Sequence, residues 1–444
     1  MSKTPIVDFI KKYSKSNNVR AHMPGHKGKS VLGVEKYDIT EVDGADVLYS
    51  ASSIIKQSED NTAKFFNTAK TYFSTEGSSL SIRAMLYLVK MYALSKEKCV
   101  KIVAARNVHK SFITAAGLLD IDVDFIGSSC DIISSGVTAE ILNEYIKINA
   151  EKPTALYLTS PDYLGNITDI SALATICKKN GILLLVDNAH GAYLNFLENN
   201  IHPISLGADL CCDSAHKTLP VLTGGGYLHI SNKAPKFIKD NAENTMALFA
   251  STSPSYLILQ SLDLANEYLK NYKQKLAKFI SQIDALKAKL VASGFTLIGN
   301  EPLKITILAK EYGYKGTELA KILAKKGVIA EFYDSDYLTL MLTPSNSRRD
   351  LSRILKAFNS IEKREPIVNK APCAIKTEKV CSISKALFSK TETLPISKCE
   401  GRVFADAAIS CPPAIPILIS GERIDKNSIE LIKYYGIKKC KVIK

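Results

Sequence analysis

Ile182-Leu183-Leu184-Leu185-Val186-Asp187-Asn188-Ala189-His190-Gly191 is the stretch from which the fold of this chain is read. Five apolar residues in a row leave no polar face, so the segment suits a strand covered on both sides. The run then stops at an acid, an amide and a histidine, a polar cluster of the kind that gathers at the carboxyl end of a strand in an open α/β sheet. Working outward, similar short runs occur at Val100-Ala105, Val123-Gly127, Ala155-Thr159, Ala208-Cys212 and Tyr227-Ile230, separated by segments of helical length. Strands of this kind alternating with helices predict an α/β region from about residue 60 to 230, built on a mostly parallel sheet flanked by helices.

Beyond that region a long Leu/Lys/Ala-rich helical pattern covers about 258–292. It is followed by Leu303-Leu308, a helix near Gly316-Lys326, Val328-Phe332, Tyr337-Thr343 and a helix from about Arg348 to Lys363, an order that predicts a smaller α+β domain. Near 364–392 the composition shifts to Lys, Ser and Thr, ahead of the Pro-rich Cys411-Pro412-Pro413-Ala414-Ile415-Pro416. The expected division is an N-terminal arm (1–45), a large domain (46–292), a small α+β domain (293–365) and a C-terminal subdomain (366–444).

Composition narrows the function classes. A chain of 444 residues exceeds one ordinary core, which agrees with several packed units. Asp8, Lys11 and Lys12 interrupt the region where a secretory signal needs an apolar run, and no uncharged stretch reaches membrane-spanning length. A cytoplasmic protein with no membrane association is expected. The ten cysteines are scattered without a C-x-x-C pair, so neither a metal site nor a disulfide framework is expected. The net charge of +14 comes from lysines spread along the chain, with no arginine-rich arm; a solvated basic surface explains it better than nucleic-acid binding.

Four polar clusters carry the chemistry. Asp187, Ala189 and His190 follow the strand at 182–186; Asp187 alone could equally cap the next helix. Asp213-Ser214-Ala215-His216-Lys217-Thr218-Leu219-Pro220 follows the run at 208–212, with Gly224-Gly225-Gly226 just beyond. A lysine between a histidine and a threonine at a strand end is poorly explained as a surface charge; desolvation or a nearby cation would make its amine a nucleophile able to form a Schiff base. Arg106-Asn107-Val108-His109-Lys110-Ser111 offers His109, a flat imidazole suited to stacking on an aromatic ring. Thr75-Glu76-Gly77-Ser78-Ser79 opens a helix, where small hydroxyl residues and free N–H groups suit an anion. One ligand with a phosphate, a flat ring and an aldehyde answers all four, and pyridoxal 5'-phosphate fits that description.

On these residues the chain resembles the ornithine/lysine/arginine decarboxylases of the pyridoxal-phosphate fold-type-I, aspartate aminotransferase-like class. The resemblance rests on Arg20-Ala21-His22-Met23-Pro24-Gly25-His26-Lys27-Gly28, the Arg106-Ser111 segment, Asp187-Gly191, Ser214-Pro220, Ser251-Thr252-Ser253-Pro254-Ser255-Tyr256, and Cys411-Pro416 through Gly421-Glu422. It implies a seven-stranded-type sheet with a C-terminal decarboxylase subdomain, in the short form that lacks an extra N-terminal domain. It further implies Lys217 as the Schiff-base lysine, Asp187 on the ring nitrogen, and His109 and Ala189 on the two ring faces. Ser78, Ser79, Ser214 and His216 would hold the phosphate, with His190 beside the cofactor. Thr252 and Ser253 would reach the cofactor of a neighbouring subunit, which implies a homodimer or higher homo-oligomer. Glu422 matches an acid near the active-site mouth and is a candidate to grip a distal amine or guanidinium. Leu80, Cys411, Ala414 and Ser420 depart from the residues more common in the family.

The expected activity is decarboxylation of arginine, lysine or ornithine to an amine on the way to polyamines, with Lys217 or His216 returning a proton to Cα. Transamination or side-chain elimination on the same fold, or a catalytically silent relative, are the competing readings.

Overall fold

The computed structural model describes residues 4–127, 133–369, 371–373, 377–407, 409–411 and 415–444. Pro412, Pro413 and Ala414 of the late motif therefore lie outside the described residues. In chain order the first elements are α1 (Pro5–Ser14), α2 (Ile54–Phe66), β1 (Lys70–Ser74) and α3 (Gly77–Leu94). Next come β2 (Lys101–Ala105), α4 (Lys110–Leu118), β3 (Asp122–Ile126), α5 (Ala139–Ile148), β4 (Ala155–Thr159) and α6 (Ile170–Asn180). The middle of the chain adds β5 (Leu183–Asp187), α7 (Pro203–Leu206), β6 (Leu210–Asp213), α8 (Ala215–Thr218), β7 (Gly226–Ile230), α9 (Lys236–Phe249), α10 (Tyr256–Leu269) and α11 (Tyr272–Ala292). The remainder holds β8 (Leu297–Ile298), β9 (Lys304–Leu308), α12 (Gly316–Lys325), β10 (Phe332–Tyr333), β11 (Tyr337–Met341), α13 (Arg348–Asn359), α14 (Ile383–Phe388), β12 (Thr391–Pro395), β13 (Ile409–Cys411), β14 (Ile415–Leu418), α15 (Lys426–Tyr434) and β15 (Lys439–Ile443).

These elements form two compact units, residues 1–99 with 183–274, and residues 100–182 with 275–444. In the first unit the strand order is β1-β7-β6-β5, with β5 and β6 parallel and β7 antiparallel to both of its neighbours. Leu184, Leu185 and Val186 are fully buried, as their uninterrupted apolar run requires. Each such side chain contributes about 2 kcal/mol of hydrophobic stabilisation. α3 runs alongside, with Leu80, Ile82, Met85, Leu86, Leu88 and Val89 all buried. In the second unit β2 pairs in parallel with both β3 and β4, while β10-β11-β9-β8 form a separate antiparallel sheet. A second apolar cluster there gathers Phe332, Phe404, Ile415, Ile417, Ile432 and Val442, so the last segment of the chain has a buried core of its own kind. The two units carry seven strands of the α/β type between them, the number implied by the fold-type-I resemblance.

Three local features differ from the sequence reading for identifiable reasons. β1 was not foreseen, because Lys70-Thr71-Tyr72-Phe73-Ser74 carries three polar residues; Thr71 and Ser74 are nonetheless buried against β7. The helical pattern at 258–292 divides into α10 and α11, because the chain turns at 270–271 to bury Tyr272, whose hydroxyl donates to the Thr218 carbonyl at 3.5 Å. The strand expected at Val328-Phe332 shrinks to Phe332–Tyr333, since Val328 N–H returns to the Leu323 carbonyl to close the end of α12. Among the described residues seven cysteines are free thiols, whereas Cys373 is disulfide-bonded. Among the described residues no helix is long and apolar enough to cross a membrane.

Candidate cofactor and catalytic site

The site residues of the first unit are set by the ends of β5, β6 and β1. α3 begins at Gly77, and its N-cap residue Glu76 makes no side-chain cap bond. The Glu76 carboxylate instead accepts the Ser251 N–H at 2.7 Å, which draws the segment carrying Thr252 and Ser253 toward the start of α3. Thr252 and Ser253 themselves are exposed. Ser214 Oγ donates to Ser78 Oγ at 3.0 Å, so the turn after β6 meets the start of α3. A side chain at Gly226 would place its Cβ 2.9 Å from the Asp213 carbonyl oxygen and 3.4 Å from Ser78 N, so only glycine lets β7 pass this close.

Asp187, the last residue of β5, is 2% exposed. It accepts the Ala189 N–H at 3.2 Å and the Cys212 thiol at 3.5 Å. Burial, reinforced by the charge of Asp187, pushes the Cys212 thiol well above its ordinary range, so it remains protonated and donates. Lys217 lies on the single turn α8, and its Nζ is 2.8 Å from His190 Nε2 in the turn after β5. An ammonium has no acceptor capacity, so a charged Lys217 here donates to an unprotonated His190 Nε2. His216 Nδ1 is 2.9 Å from the Gly225 carbonyl, which can only accept; this fixes the proton on Nδ1. Lys217, Asp187, Ala189, His190, Ser78, Ser79, Ser214 and His216 thus all fall in one compact unit, although the chain between Ser79 and Asp187 passes through the other.

His109 and Glu422 belong to the second unit. His109 is the N-cap of α4, its Nδ1 accepting the Ser111 N–H at 3.2 Å. Three residues earlier Arg106 donates from both terminal nitrogens to Glu422, at 2.6 and 2.8 Å, and to the Ile417 carbonyl at 3.2 Å. Glu422 also accepts the Ile419 N–H at 2.8 Å and is 7% exposed. The acid expected near the site mouth therefore carries a guanidinium from its own chain.

Residues 4–298 match the family model of the Orn/Lys/Arg decarboxylase major domain, and residues 369–440 match that of its C-terminal domain. The chain belongs to the Orn/Lys/Arg decarboxylase family. Among relatives, it is 30% identical to the uncharacterized protein YaaO of Bacillus subtilis, over 96% of this chain and 93% of that one. It is 27% identical to the arginine decarboxylase of the same organism, over 97% and 93%. The lysine decarboxylase LdcF of Francisella novicida shares the fold, with a TM-score of 0.81 at 17% identity over 99% of this chain and 81% of that one. Members of this family are pyridoxal-phosphate-dependent enzymes of fold type I that decarboxylate basic amino acids, and this chain is one of them.

The donor set of the first unit fits that cofactor. Ser78, Ser79 and Ser214 offer hydroxyls beside a helix start whose N-cap side chain makes no cap bond, which suits a phosphate. Asp187 is a buried acid suited to a pyridinium, and Lys217 is an amine held by an imidazole.

The role of one acid was not foreseen from the sequence. Asp213, fully buried at the end of β6, receives His202 Nε2 at 3.1 Å, His229 Nε2 at 3.2 Å and the Asn188 side-chain amide at 2.7 Å. The signal for it was an acid closing an apolar strand and a histidine inside the apolar β7 segment Gly226-Tyr227-Leu228-His229-Ile230. By sequence Asp213 reads as the first residue of the Lys217 cluster, and His229 as part of the apolar run Tyr227-Ile230.

Proposed function

We propose that Lys217 is the amine that carries the cofactor, and that the enzyme converts arginine, lysine or ornithine to the corresponding amine and CO2. The observation that carries this reading is the Lys217 Nζ to His190 Nε2 contact of 2.8 Å in the same unit as the buried Asp187 and the Ser78–Ser214 hydroxyl pair. Bound pyridoxal phosphate supplies the electron sink for the pair left behind when the Cα–carboxylate bond breaks. Asp187 keeps a proton on the ring nitrogen by presenting a fixed negative charge in a site of low dielectric. His190 takes a proton from the Lys217 ammonium, which leaves the amine nucleophilic. Ser78, Ser79, Ser214 and His216 donate to the phosphate, and Ala189 packs on one ring face. For His109 the reading keeps the stacking role that the family resemblance implies. Lys217 or His216 returns a proton to Cα after CO2 has left. Glu422 is assigned to Arg106 rather than to substrate.

The relatives named arginine decarboxylase favour arginine among the three substrates. Incubation with arginine, lysine and ornithine in parallel, with amine and CO2 measured, tests this; keto-acid products would replace the reading with transamination. Borohydride reduction of the yellow holoenzyme should fix the cofactor on a peptide containing Lys217, and labelling of another lysine would refute the assignment.

The exposed Thr252-Ser253 segment is read as completing the phosphate site of a second copy in a cytoplasmic homodimer, because Leu80 lacks a hydroxyl at the start of α3. Mixing Lys217→Ala with a disruptive Thr252/Ser253 double variant under subunit exchange should restore part of the activity. Exchange without recovery would remove the shared site.

A further inference from the structure

We propose that Asp213 is a positioning residue for this site: through the Asn188 side chain it locks the turn after β5 to the turn after β6 and so fixes Asp187 relative to Lys217. This rests on the assignment of Lys217 and Asp187 to the cofactor.

Asp213 and Asn188 sit where the two functional turns leave their strands. β5 and β6 are register-paired with Asp187 opposite Cys212, and Asn188 N–H continues the ladder to the Cys212 carbonyl at 2.9 Å. The side-chain bond from Asn188 Nδ2 to Asp213 Oδ1, at 2.7 Å, then crosses between the residue after Asp187 and the residue before Ser214. Lys217 follows four positions after Asp213, and its amide N–H bonds the Ser214 carbonyl, so the anchor is one short turn away. Charge fixes the direction of this bond. A carboxylate accepts only, so Asn188 must aim its NH2 at Asp213 and its oxygen away. That oxygen is fully buried and has no hydrogen-bond partner among the described residues. A side chain at Gly191 would bring its Cβ to 1.9 Å from the same oxygen, so Gly191 provides the space it occupies. An unsatisfied buried carbonyl is unfavourable; the charge-assisted bond on the other side of the amide offsets it.

The rest of the cluster holds Asp213 still. His202 Nδ1 accepts the Ile204 N–H at 3.4 Å, which places its proton on Nε2, facing Asp213. His229 Nδ1 is bonded to Thr71 Oγ1 at 2.8 Å, and Thr71 Oγ1 to Thr68 Oγ1 at 2.8 Å. Burial drives His229 toward its neutral form. Burial also works against the charge of Asp213, but the two imidazoles outweigh it and hold the carboxyl below its ordinary range. His202, Cys211 and Asp213 lie close enough to bind a metal ion, yet the proton on His202 Nε2 occupies the lone pair a metal would need. The cluster is thus a buried anion served by N–H donors, one of which is the side chain next to Asp187.

Two variants test the link. Asn188→Ala removes the bond and leaves Asp213 with both imidazoles. Cofactor affinity of the apoprotein, from absorbance titration with pyridoxal phosphate, and kcat should each fall roughly tenfold, the size of one lost hydrogen bond to a charged group. KM for the amino acid should stay within about twofold, since no group near substrate changes. Asn188→Asp is nearly isosteric and decides the matter if the alanine variant fails to fold. It faces Asp213 with a second carboxylate, so its cofactor affinity should recover as pH is lowered from 8 to 6, when a shared proton rebuilds the bond; wild type should show no such recovery. Unchanged affinity and kcat in Asn188→Ala, or an Asn188→Asp pH profile parallel to wild type, would overturn the proposal. Borohydride labelling separates the two levels: label on Lys217 with indifferent variants removes this inference alone, whereas wild-type label elsewhere removes the site assignment beneath it.

Discussion

The strand ends of the two units hold their polar groups in different ways. At the end of β5 and β6, Asp187, Asn188, His190, Asp213 and Lys217 contact one another or their neighbours in two adjoining turns, and the buried charge of Asp213 is met by N–H donors. At the end of β2, Arg106 is met by a full opposite charge from Glu422, 316 positions along the chain, and His109 caps its own helix. A local network keeps its geometry as long as two strands stay paired. The Arg106 clamp instead depends on a distant segment being folded, so the precision of the His109 turn is tied to the integrity of the C-terminal residues. Chemistry that needs sub-ångström placement is better served by the first arrangement.

The contrast can be broken first at Lys217. Lys217→Ala should reduce CO2 release by more than about a thousandfold, as loss of a covalent participant does. Its thermal midpoint should stay near wild type and cofactor should still bind through its phosphate; retained turnover would remove the first unit from the chemistry. Asp187→Asn comes next, with an expected loss of about a hundredfold in kcat, on the order of 3 kcal/mol of charge stabilisation. A near-normal rate would mean that another acid meets the ring nitrogen.

Glu422→Gln addresses the other side of the comparison. Leaving the largely buried Arg106 without its counter-ion should cost on the order of 3 kcal/mol, read as a lower midpoint in denaturant, while borohydride still labels Lys217. If kcat collapsed with stability intact, Glu422 would belong with substrate after all.

The smallest effect on turnover is expected from Glu59→Gln, which touches neither strand end. Burial raises the Glu59 carboxyl from 4.5 to about 8, against the opposing hydrogen bond from Phe73 N–H. The folded state therefore binds this proton more tightly than the unfolded chain. Its contribution is fully present below about pH 4.5 and is lost as pH climbs through about 8. The melting temperature of wild type minus that of Glu59→Gln should fall between pH 5 and pH 8 by calorimetry; a constant difference would mean that Glu59 is already ionised in the native protein.

The α/β layer was legible because Ile182-Val186 and its companions are apolar on both faces, and the candidate site because Ser-Ala-His-Lys-Thr-Leu sits at a strand end. β1 was not, since its polar residues are buried by pairing with β7 and not by their own preference. The Asp213 cluster was hidden for a related reason: His202, His229 and Asn188 are unremarkable one at a time, and only the β5–β6–β7 pairing brings them onto one carboxylate. The pairing of Glu422 with Arg106 was beyond reach of local reading, because no periodicity links positions 316 residues apart.

The division of the chain has a consequence for how the protein is made. The first unit opens at the N-terminus, yet β1 at Lys70–Ser74 pairs with β7, whose partner residues run from Gly226 to Ile230. A ribosome therefore extrudes α1, α2, β1 and α3, then the whole of residues 100–182, before the strands that satisfy β1 exist. During that interval the apolar side of α3 and the edge of β1 are exposed in the nascent chain, with closure delayed until β7 emerges. A chain stopped near residue 182 would therefore hold α1, α2, β1 and α3 without β5, β6 and β7, the strands of the first unit that are made last.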